Sequence, residues 1–241
     1  MKRIKMHRQM NFSWSSCYNR SGGPKSNFPP MIMVEPVDSE WKIIHNTVAK
    51  YIEDNGYDFN KVRDLLYSLI PDEFNCEVYG NRKKLLDFMM VGGVWGEYGG
   101  VAVVRKCIKD IIEKFDSSRG EYLFKSITIK RKHEIVDGDF YLLIIPKIDH
   151  RELILSKSIF RDSVNNCAVT FDNFDEYTNA IQSNNFSPIS LSLPLKYQDL
   201  QMLYLGRKLG IYVSDKLAIA LVLANSYADG YEFGIRLLFD E

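Results

Sequence analysis

The chain has 241 residues, of which 46% are hydrophobic and 26% charged. That is enough apolar material for a sizeable core and excludes a mainly disordered chain. Lys and Arg number 31 and Asp and Glu number 31, so the basic excess of a dedicated nucleic-acid binder is missing.

Two further classes are set aside at this level. The longest unbroken apolar run, 217–224, is far shorter than the roughly 20 residues a membrane-spanning helix needs. Lys2, Arg3, Lys5 and Arg8 are followed by Gln9, Met10, Asn11 and Phe12, not by an apolar stretch, so a secretory signal is not expected and the cytoplasm is the expected location. Cys17, Cys76, Cys107 and Cys167 form no Cys-x-x-Cys pair, which excludes a zinc ribbon and fits thiols in a reducing compartment.

Along the chain, residues 1–36 stand apart as a basic N-terminal arm or loop-rich segment, with Gly22, Gly23, Pro24, Pro29 and Pro30 marking loop chemistry. Phe12 and Trp14 alternate with polar residues like a short strand, and Met31–Val34 could pair back on it. Trp41, Ile44, Val48 and Ile52 form one helical stripe that Asn55–Gly56 ends, because glycine accepts the left-handed conformation. Asp58 opens a second helix with Val62, Leu65, Leu66 and Leu69 on one face, stopped by Pro71. A strand is expected at Cys76–Tyr79, a helix at Asn81–Met90, and a long helix from Val101 to Phe115 after the glycine-rich stretch Gly92–Gly100.

Beyond Gly120 the period becomes two. Tyr122 and Phe124 alternate, then Ile127 and Ile129 in the opposite phase, as a bulge near Lys125–Ser126 would produce. Asp137–Gly138 reads as a type I′ hairpin turn before a strand at Phe140–Ile145. Strands are expected at Leu153–Phe160, Ala168–Phe171 and Pro188–Leu193, with a short helix over 173–183. A helix from Tyr197 to Leu209, a strand or connector at Ile211–Val213 and a helix from Ser214–Asp215 to Ala228 follow. The chain closes on a strand carrying Tyr231, Phe233, Ile235, Leu237 and Phe239 on one face. No internal repeat is evident. The order of elements predicts an α+β fold, with N-terminal helices packed on a mainly antiparallel sheet and a mixed helix/strand C-terminal part. Residues 37–241 read as a single α+β domain, with 116–121 as its sub-boundary if it divides.

The chemistry-bearing motifs are few. The glycine-rich stretch opens the expected helix, where free amides could hold a phosphate, but it matches neither a P-loop nor the dinucleotide fingerprint. His7, His45, His133 and His150 are not at metal-ligand spacing. His150-Arg151-Glu152 lacks the Pro-Cys-x-x-Cys partner of a zinc deaminase. In Asp72…Glu77-Val78-Tyr79 a tyrosine stands where a restriction-like nuclease needs lysine. Asn225-Ser226-Tyr227-Ala228-Asp229-Gly230-Tyr231-Glu232-Phe233-Gly234 resembles the Asn-x-x-Ala…Tyr-Glu…Gly ending of acetyl-CoA-dependent N-acetyltransferases, with the glycine one place early. The resemblance implies a pyrophosphate loop, for which Arg207-Lys208-Leu209-Gly210-Ile211-Tyr212 is the nearest match; tyrosine there stands in place of a small residue.

The expected function is non-catalytic binding of another protein, as by an inhibitor, an immunity-type protein or an adaptor. Trp95, Glu97, Tyr98 and Trp14 are the candidate partner-binding residues, since aromatics dominate binding hot spots. Lys130, Arg131 and Lys132 are the candidate anion-binding residues. No metal site and no cofactor is expected. The alternatives are a small enzyme of the acyl-CoA transferase type and a nucleic-acid accessory protein.

Overall fold

The computed structural model describes residues 7–10, 33–36, 40–72, 74–79, 88–90, 100–116, 120–183, 185–206, 209–224 and 236–240. In chain order the first elements are β1 (His7–Met10), β2 (Met33–Pro36), α1 (Glu40–Asn55), α2 (Phe59–Leu69), β3 (Phe74–Tyr79), β4 (Phe88–Met90) and β5 (Gly100–Arg105). Then come α3 (Lys106–Phe115), β6 (Leu123–Arg131), β7 (Glu134–Ile135), β8 (Phe140–Ile145), β9 (Ile159–Asp162), β10 (Cys167–Val169) and α4 (Phe174–Gln182). The last are β11 (Phe186–Pro194), β12 (Met202–Tyr204), β13 (Ile211–Ser214), α5 (Asp215–Leu223) and β14 (Arg236–Asp240). The fold is α+β, and most strand pairs are antiparallel.

The helical hairpin forms as its stop and start signals dictate. Gly56, at φ +74°, closes α1 and donates its N–H to Ile52 O at 2.8 Å. Asp58 Oδ1 accepts from Lys61 N at 3.1 Å and caps α2. Ile44, Val48, Val62 and Leu66 then bury against one face of the first sheet, on Phe74, Cys76, Ile127, Phe140 and Leu142.

That sheet runs β2-β3-β6-β8-β5-β4, with β7 pairing on the end of β6. Among the described residues, only its β3–β6 pair is parallel. The expected helix from Val101 to Phe115 is corrected: Gly100–Arg105 is a strand, and the helix starts at Lys106. The run Val-Ala-Val-Val is buried on both sides, and β-branched residues favour a strand whose two faces are covered. Phe88–Met90, expected at the end of a helix, is likewise a strand paired with β5; residues 80–87 lie outside the described residues.

The expected bulge at Lys125–Ser126 is absent, since the register of β6 on β8 is unbroken from Leu123 to Ile127. The phase change has another cause. Tyr122 and Phe124 pack on one core and Ile127 and Ile129 on the other, so both faces of this strand are apolar. The tight turn is also displaced. Lys132 (φ 49°) and His133 (φ 72°) form it, between the paired Arg131 and Glu134, while Asp137–Gly138 is only a bend.

The second sheet runs β10-β9-β11-β14-β1-β13-β12. The strand expected over Leu153–Phe160 begins only at Ile159, after two 3₁₀ turns at His150–Glu152 and Leu155–Lys157. The helix expected over Tyr197–Leu209 is a 3₁₀ turn at Leu195–Tyr197 followed by β12. The terminal strand is present as β14, with Leu237 and Phe239 buried.

The two sheets share one plan. From β2 to β4 in the first and from β9 to β12 in the second, successive neighbours are antiparallel, parallel, antiparallel, antiparallel and antiparallel. Equivalent strands also follow in the same chain order, with one exception. The place of β8 in the first sheet is taken in the second by β1, from the N-terminal segment. The strand–helix units β5–α3 and β13–α5 superpose in sequence at a constant offset: Ala102 with Ile211, Val104 with Val213, Ile108 with Leu217, Ile112 with Leu221. All eight enter one shared core. A third core, on the far side of the second sheet, holds Tyr177 and Ile181 of α4 with Leu191, Leu193 and Tyr212.

Candidate functional site

Between the sheets, the chain leaves β8 and pairs with β12: Tyr204 N donates to Pro146 O at 2.7 Å and Ile148 N to Tyr204 O at 2.9 Å. The next residues place His150 beside β12. Its Nε2 meets Leu205 O, and Nδ1 lies 2.9 Å from Tyr177 Oη. This geometry makes Nε2 the protonated nitrogen and Tyr177 the donor to Nδ1. Gly206, at φ +83°, brings the backbone so close that a Cβ there would lie 3.1 Å from Nε2. Phe160 and Phe171 pack on the Tyr177 ring. Burial lowers the imidazole pKa below its usual value, opposed by Leu205 O and by Asp149.

His150 is therefore neutral in the fold, and both ring nitrogens are already engaged. It positions the 146–150 crossing rather than offering a base to a substrate. The consequence for stability has a definite sign. The unfolded chain takes up a proton near pH 6.5 and the folded chain resists it, so stability is full above that pH and falls as the pH drops below it. Between pH 7.5 and 5.5 the wild type should lose more stability than His150→Gln. Urea denaturation of both proteins at the two pH values checks this; equal losses would refute it.

Of the residues expected to bind an anion, Arg131 and Lys132 line one depression, and Lys130 precedes them on β6. Lys130 and Arg131 are successive on β6 and point to opposite faces. Lys130 is in register with Glu77 of β3, Arg131 with Glu134 of β7, and Lys132 sits in the turn. Arg131, Lys132, Glu134, Ile135 and Val136 line a depression of about 230 Å³, with two bases, one acid and two aliphatic side chains. Trp14, Trp95, Glu97 and Tyr98 lie outside the described residues. Of the glycine-rich stretch only Gly100 is described, and it leads into a strand rather than a helix. Gly206 and Gly210 bracket the hairpin between β12 and β13, so the expected pyrophosphate loop precedes a strand; residues 225–235 lie outside the described residues. Among the described residues no three His, Cys, Asp or Glu side chains gather as metal ligands, and no helix is long and apolar enough to cross a membrane.

The feature that sequence reasoning passed over is the outer side of α5. Ser214 Oγ accepts from Leu217 N at 3.2 Å and starts the helix, which buries Leu217, Ala218 and Leu221. Ile219 and Leu223, one turn apart on the other side, are 59% and 77% exposed. At the equivalent positions of α3 stand Asp110 and Lys114, and Asp110 is ion-paired with Lys106 at 2.9 Å. The signal was present in the apolar run 217–224, which has no polar face. No protein-family model matches the sequence, and a search of the curated proteins finds no significant match.

Proposed function

We propose that the protein acts without catalysis, by binding another protein, and that the outer side of α5 belongs to the contact surface. One observation carries this reading. Two helices hold equivalent places in duplicated units; one presents a charged pair to water, the other Ile219 and Leu223. Exposed aliphatic side chains one turn apart gain nothing in water and add affinity when a partner covers them. Trp95, Glu97, Tyr98 and Trp14 join the proposal as sequence-based contact candidates, and an inhibitor or immunity-type role is its most specific form.

The test is retention of a stoichiometric protein partner from the native cell. Ile219→Glu and Leu223→Glu should leave the melting temperature within a few degrees of wild type, because both side chains already face water. The same variants should weaken partner retention by about tenfold or more. Retention unchanged in both variants, or a wild type that purifies without any partner, would overturn the reading.

A further inference from the structure

We propose that the slot between β13 and β14 is a strand-acceptor site, held in cis by β1, whose intended occupant is an extended apolar segment of a protein partner. The inference rests on the protein-binding reading above and names the chemistry of the partner. The duplicated plan supplies the comparison. In the first sheet this position is filled by Phe140–Ile145, with Phe140, Leu142 and Ile144 in one core and Leu143 and Ile145 in the other.

The second sheet makes the same demand. Its flanking strands put Tyr212, Leu237 and Phe239 into one core and Ile211 and Val213 into the other. A strand covered on both faces is normally apolar throughout. β1 instead reads His7-Arg8-Gln9-Met10, with Met10 its only apolar residue. It is held by main-chain pairing, His7–Met10 against Ser214–Ile211 of β13 and His7–Arg8 against Leu237–Arg236 of β14.

An incoming segment with aliphatic residues at alternate or successive positions would make the same ladder and place apolar side chains against both cores. Residues 11–32 separate β1 from β2, and the two strands belong to different sheets. Strand addition of this kind takes its affinity from main-chain hydrogen bonds and its specificity from alternate side chains.

The test uses the full chain with Arg8→Cys and Val213→Cys, which are register partners, and with Cys17, Cys107 and Cys167 changed to serine. The probe is a fluorescein-labelled peptide of the chain's own Phe140–Ile145 segment, flanked by lysines for solubility. The reduced protein should bind it saturably. Hydrogen exchange should then show residues 7–10 losing protection while 211–214 keep theirs. Oxidation, which ties β1 to β13, should weaken binding by about tenfold or more. Absence of saturable binding, or binding indifferent to oxidation, would overturn the proposal. So would exchange of β1 between two copies, seen as a dimer by light scattering without peptide uptake, because the occupant would then be a second copy. If the oxidised chain still retains the partner that Ile219→Glu releases, protein binding stands and the strand slot falls.

Discussion

Tyr122→Phe is expected to destabilise the protein by about 2–4 kcal/mol, as the loss of one hydroxyl that serves three main-chain groups. Tyr122 Oη accepts from Gln201 N at 2.8 Å and from Met202 N at 2.7 Å, and donates to Met202 O at 3.1 Å. The residue is 3% exposed. It precedes β6 of the first sheet, and its acceptors and donors belong to the edge of the second, so this hydroxyl fastens one unit to the other. Phenylalanine keeps the ring in its core and leaves buried N–H and C=O groups unpaired, each costing about 1–3 kcal/mol. Gln201 is half-buried, and water can restore part of its share. Urea denaturation should show a lower midpoint with an unchanged slope. A loss under about 1 kcal/mol would mean that the hydroxyl is not the fastening.

Tyr122 also shows what the sequence could and could not disclose. Its alternation with Phe124 announced a strand, but not that the strand is covered on both faces, nor that the hydroxyl reaches residues far along the chain. Local signals were legible where a cap or a stop is made within four residues. Gly56, Asp58 and Ser214 act as their chemistry dictates. Periodicity misled where burial on both faces removes it. Val101–Val104 can be read as the first turn of a helix because Val104, Ile108 and Ile112 are also spaced for one, and all three do enter the same core, from a strand and from a helix.

The duplication was hidden for related reasons. The two strand–helix units share a burial pattern but few residue identities, since a core asks for apolar volume rather than particular side chains. The equivalent of β8 comes from the other end of the chain and is polar, so no linear comparison aligns the units in full. The outer face of α5 was legible as an apolar run, but which of its residues are solvent-facing is set by where α3 and the second sheet lie. The anion-binding expectation, by contrast, was weakened by strand alternation that the sequence already contained, and the register adds Glu77 and Glu134 as neighbours.

Gly100→Ala should cost about 3 kcal/mol, at the upper end of what overpacking a core costs. A Cβ at this position would lie 2.6 Å from Tyr204 Cβ, 2.9 Å from Tyr204 Cγ and 3.0 Å from Ile145 Cβ. Two of these three atoms are fixed to the backbone of β12 and β8, so no rotamer change relieves the contact. A strand has to move, and the strand that moves is tied by the Tyr204 N–Pro146 O hydrogen bond that joins the sheets. Gly56→Ala is the matched comparison. Gly56 has open space around it and needs glycine for its φ of +74°, so its replacement costs conformation alone, about 1 kcal/mol. Thermal and urea denaturation of the two variants should therefore rank Gly100→Ala well below Gly56→Ala in stability. The reverse order would mean that β5 and β12 yield without strain, and that the last residue of the glycine-rich stretch is not there to let the two sheets approach.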